Sequence, residues 1–66
     1  MNTRLFEAQM TLRGETQESV ALVIGKRRET AGHKIRNGTF TQREIKKIIE
    51  AWGLSPKEAT NIFFKE

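Results

Sequence analysis

The segment TQESVALVIGKRRETAGHKIRNG, residues 16–38, decides the fold. It divides at Gly25 into halves of opposite character. In the first, Val20, Ala21 and Ile24 recur at helical spacing and mark a buried stripe. Thr16 stands where a hydroxyl can accept an otherwise orphaned backbone N–H, and Glu18 falls in the first turn, where the helix dipole favours an anion. The second half begins near Arg27 or Arg28 and runs to about Arg36, with only Ala31 and Ile35, at i, i+4, as clear core contacts. Asn37-Gly38 is a turn or cap signal. A sharp glycine turn, a small residue at the crossing (Ala21) and a sparsely anchored second helix are the physical requirements of a helix-turn-helix, here over about 16–37.

Working outward, the flanks also read as helices. Thr3 to Arg13 carries Leu5, Ala8 and Leu12 at i, i+3, i+7, flanked by Phe6 and Met10, and Gly14 ends it. Thr41 and Glu44 form a T-x-x-E capping box, and Phe40 and Ile45 are spaced as a hydrophobic staple. Ile45, Ile48, Ile49 and Trp52 continue at i, i+3, i+4, i+7 until Gly53. Ser55, Pro56 and Glu58 then spell a second capping box with proline at its first helical position, followed by the apolar face Ala59, Ile62, Phe63. The expectation is an all-α, compact five-helix bundle forming one domain over 1–66.

The charge is concentrated. Residues 26–36 hold Lys26, Arg27, Arg28, Lys34 and Arg36 against Glu29, so this segment accounts for the whole formal charge of +4. The remaining seven basic and seven acidic residues cancel. Such a distribution points to a polyanion partner rather than to a uniformly solubilised surface. Three of these cations cluster at a helix N-terminus, where the dipole disfavours each by roughly 0.3–1 kcal/mol. An anion docked there would relieve the conflict.

Other classes fall away. With no Cys and one His, neither a disulfide framework nor a zinc site is expected. No apolar run approaches the roughly 20 residues that span a bilayer, and the N-terminus lacks the apolar region of a signal peptide, so a cytoplasmic protein without a membrane partner is the default. No carboxylate pair accompanies an activated nucleophile. The chain is therefore read as no enzyme, with no cofactor and no small-molecule substrate. A single-strand or RNA binder would fit the charge, but no aromatic platform lies near it.

The segment TQESVALVIG resembles the T-Q-E-x-[LV]-A-x-x-[LIM]-G pattern of the Cro and phage-repressor (XRE-like) helix-turn-helix family. Downstream, KIRNGTFTQREIKKIIEAWGLSPKEATNIFF is similar to small phage and prophage regulators of Gram-positive bacteria. The resemblance runs from about Leu5 to Phe64. It implies a lambda repressor-like domain that regulates transcription by binding double-stranded operator DNA, with the 27–36 helix in the major groove. Carried over by position, Arg28, Glu29, Gly32 and His33 would face base edges. Gln17 would clamp the DNA backbone and brace the reading helix. Lys26, Arg27, Lys34, Arg36 and Asn37 would meet the phosphates. Arg suits the O6/N7 edge of guanine, and Glu can accept from cytosine N4. Gly32 is expected to let the backbone approach the groove. Lys26, Ala31 and Gly32 depart from the family's usual residues, which weakens the anchoring of this helix.

Two expectations concern protein partners. Phe63 and Phe64 point about 100° apart on a helix, so both cannot face one small core. Either one packs inside and the other covers the chain end, or the pair forms a homodimer contact. The alternative function is a protein-interaction module that modulates a partner repressor rather than binding DNA itself.

Overall fold

The computed structural model describes residues 1–64. Local rules account for where each helix begins. In α1 (Thr3–Arg13) the Asn2 side chain accepts from the Leu5 N–H at 3.1 Å. In α2 (Gln17–Ile24) Thr16 and Ser19 cap each other. Thr41 and Glu44 do so for α4 (Gln42–Trp52), and Ser55 and Glu58 for α5 (Pro56–Ala59). Beyond α5 the chain continues as a wider π-helical turn, Thr60–Phe64. The exception is α3 (Arg28–Asn37), whose N-cap is Arg27 and has no side-chain cap bond. The domain is all-α and compact, with a radius of gyration of 10.5 Å, close to the roughly 11 Å expected at this length.

The core is built around Phe6, which is fully buried. Its ring lies 5.1 Å from Trp52, 5.2 Å from Phe40 and 5.9 Å from Phe63, centroid to centroid, the last edge-on. Val20, Ala21 and Ile24 of α2 and Ala31 and Ile35 of α3 complete it, with Ile48, Leu54, Ala59 and Ile62. The two ends of this chain segment are tied together: the Asn2 N–H donates to the Ile62 carbonyl at 2.7 Å.

The face of α1 differs from the sequence expectation. Leu5, Ala8 and Leu12 point to solvent, with Leu12 78% exposed, while Phe6 and Met10 turn inward. Both sets have helical spacing, so periodicity alone permits either face. The aromatic ring decides between them, because Phe6 meets Phe40, Trp52 and Phe63 in one cluster of rings.

The α4–α5 corner is closed from α1. The Arg13 guanidinium lies 5.7 Å over the Trp52 ring and donates through Nη1 to the Trp52 carbonyl at 2.6 Å. It satisfies a carbonyl that the helix end leaves without an intrahelical partner, and its charge suits the negative pole of α4.

Candidate nucleic-acid interface

Helices α2 and α3 are the most closely packed pair of consecutive helices. Gly25 adopts the left-handed conformation, φ 68°, and the Lys26 N–H returns to the Ala21 carbonyl at 3.0 Å. A side chain at 25 would be strained in that backbone region, so glycine fits the turn. Three residues thus join the helices, and α3 packs on α2 with Ala31, Gly32 and Ile35 buried. Its outer face and the preceding turn carry Lys26, Arg27, Arg28, Glu29, His33 and Arg36, all exposed.

Among the described residues the one ion pair within 4.0 Å is Lys34–Glu44. Among the described residues, the exposed cations of the turn and α3 therefore have no carboxylate within ion-pair distance. With no cap on Arg27, the first turn of α3 also presents backbone N–H groups beside those cations. The combination is suited to an anion.

Two residues expected on this face are elsewhere. Lys34 is drawn inward: its side chain is 17% exposed and its Nζ lies 3.0 Å from Glu44 Oε1. That same oxygen accepts the Thr41 N–H at 2.9 Å, so Lys34 completes the cap of α4 instead of facing a phosphate. Burial pushes the Glu44 carboxyl upward, but the Thr41 N–H, the Lys34 hydrogen bond and the Lys34 charge outweigh it and hold it below its ordinary value.

Gly32 is buried rather than open to a groove. The Gln17 side chain covers it, and a Cβ at position 32 would overlap the Gln17 carboxamide. Seated there, Gln17 Nε2 donates to the Arg28 carbonyl at 2.9 Å. Gln17 thus braces α3, and its carboxamide fills the space that a side chain at position 32 would need. Asn37 folds back on its own helix, where Nδ2 donates to the His33 carbonyl at 2.9 Å and contacts His33 Nδ1 at 3.3 Å. It remains exposed, with its amide oxygen unused by this bond.

The expected homodimer pair also separates. Phe63 is 6% exposed and packs on Phe6, whereas Phe64 is 56% exposed. Neighbouring side chains on the helical turn point in different directions, and only the Phe63 ring enters this core.

Sequence reading overlooked Arg43 and Lys47. They sit one turn apart on α4, both exposed, and line a cleft of about 490 Å³ with Lys26. The signal was present as two cations at i, i+4, but it was averaged away when the rest of the chain was counted as neutral. Among the described residues no group of His, Asp or Glu gathers to hold a metal ion, and no helix is long and apolar enough to cross a membrane. No protein-family model, curated protein or solved structure matches the chain.

Proposed function

We propose that the chain is a sequence-specific, double-stranded DNA-binding transcription regulator of Cro or repressor type, probing the major groove with α3 of a helix-turn-helix. The supporting observation is the two-sided character of α3. One side is buried against α2, and the other carries exposed cations that have no ion-pair partner among the described residues. In this reading Arg28, Glu29 and His33 face base edges, while Lys26, Arg27 and Arg36 meet phosphates. Such a regulator acts by occupying an operator and blocking a promoter. Phe64 is the member of the aromatic pair left for a homodimer contact.

Selection of binding sites from a random duplex pool, followed by fluorescence anisotropy over a salt series, tests this. A defined half-site should be enriched, and log K should fall linearly with log salt, by about 0.9 per phosphate engaged. Equal affinity for selected and random duplexes would overturn the sequence-specific reading. A second reading, a module that engages a partner repressor, is favoured by the exposed Leu5 and Leu12 of α1. Resonance shifts confined to α1 on adding the repressor, with none from DNA, would select it.

A further inference from the structure

A concavity of about 490 Å³ lies between the α2–α3 turn and the start of α4. Its floor is apolar at Ile24. Its rim brings together Lys26 from the turn and Arg43 and Lys47 from α4. Thr41 and Glu44 also line it, and their side chains are already engaged in the capping box. The helix end is therefore capped from within, and what remains for a ligand is the cation set.

The electrostatics of this set are unbalanced. Arg43 and Lys47 are neighbours on one helix face, where like charges repel. Lys26 adds a third positive charge from another element. The one carboxylate in the cleft, Glu44, is matched by Lys34 at 3.0 Å. Glu50, one turn beyond Lys47, is not part of the lining. Cations brought together by separate elements, without a paired anion, are suited to an external one. An open cleft suits a tethered oxyanion, such as a phosphodiester on a continuous strand, better than a small molecule that needs enclosure.

We infer that this cleft is a second phosphate-binding site, in which Lys26, Arg43 and Lys47 grip the DNA backbone beside the groove that α3 enters. This rests on the DNA-binding reading and extends it from one helix to two elements. Arg43 and Lys47 supply affinity and orientation without sequence preference.

The test is the double variant R43Q/K47Q, studied with the intact chain and a short mixed-sequence duplex. Both residues are exposed, so the variant should melt no lower than the parent. Its log K against log salt should be shallower by about 1.8, as expected for two lost phosphate contacts, with the ranking of duplex sequences unchanged. In the parent, amide resonances of Lys26, Arg43 and Lys47 should shift on adding duplex. If Arg28 and Glu29 shift while these do not, and the salt slope of the variant is unchanged, the cleft proposal is overturned and the reading of α3 stands. If the cleft residues shift alone and the variant loses binding, the cleft stands and the reading of α3 falls. No shift at either place overturns both.

Discussion

The Gln17 carboxamide lies where the side chain of residue 32 would otherwise be, and from there it holds the Arg28 carbonyl at 2.9 Å. Residues fifteen positions apart thus act as one joint. A glycine that costs α3 about 1 kcal/mol in helix propensity makes room for the group that fixes its first turn.

Gly32→Ala separates stability from positioning. The new methyl displaces only the far end of a flexible side chain, so the fold should persist. The gain in helix propensity, about 1 kcal/mol, is offset by losing an amide hydrogen bond of about 0.5–1.5 kcal/mol. Melting should move by less than about 5 °C. The Gln17 side-chain amide resonances should shift and DNA affinity should fall. An unmoved Gln17 amide would show that the joint does not exist.

Lys34→Met probes the buried end of α3. It leaves the Glu44 carboxylate with one fewer partner and should cost about 2–3 kcal/mol, lowering the melting temperature on the order of 10 °C. The pH dependence carries a sign. Glu44 sits below its ordinary value of 4.5 in the fold, so its contribution is present above that value and is lost as the pH falls through the folded one. Thermal melts of the parent should show this loss on acidification. In Lys34→Met the loss should shrink or reverse, because Thr41 alone then opposes the effect of burial.

Arg28→Ala and Arg36→Ala should differ in kind. The first should relax preference at one base pair by about 1–3 kcal/mol. The second should weaken all duplexes alike and make the salt slope shallower by about 0.9. Anisotropy with single-base operator variants distinguishes them. Equal, sequence-independent losses would remove Arg28 from the base-reading set.

Arg13→Lys examines the closure of the α4 end. Lysine keeps the charge but not the planar group that both stacks on Trp52 and meets its carbonyl, so about 1 kcal/mol of stability should be lost. Trp52 is the only tryptophan, and its emission should change with the substitution. Wild-type emission and melting in the variant would mean that the contact contributes nothing.

Phe63→Ala and Phe64→Ala should part sharply. Emptying the Phe63 site in the core should cost about 3–5 kcal/mol, enough to unfold much of a domain this small. Phe64→Ala should leave a dilute monomer's melting unchanged. If it also leaves the sedimentation behaviour unchanged at high concentration, Phe64 is no dimer contact.

Backbone rules were the most legible part of the sequence. The reciprocal caps at Thr41 and Ser55 and the turn at Gly25 depend on residues a few positions apart, so spacing alone reveals them. The buried stripes of α2 and α3 were legible for the same reason. What the sequence hid was competition between elements. Leu5 and Phe6 both offered α1 a face, and only the meeting of Phe6 with Phe40, Trp52 and Phe63 decides which is buried. Within the candidate site, Lys34 looked like its neighbours because a count of charges cannot register Glu44 ten residues on. Gly32 looked open because helical spacing places it near Arg28 and Arg36, while its cover comes from another helix. The pairing of Arg43 and Lys47 with Lys26 likewise exists only across the folded cleft.

The helix that has no side-chain cap at its N-terminus is held near both ends by groups from other helices. Gln17 of α2 grips its first turn, and Glu44 of α4 grips Lys34 near its last. Such a segment need not breathe as a block. Its opening can begin at either end without releasing the other, so amide exchange would have two separately adjustable rates along only ten residues. Whatever contacts its exposed face can then change the flexibility of one turn while leaving the rest of the domain as rigid as before.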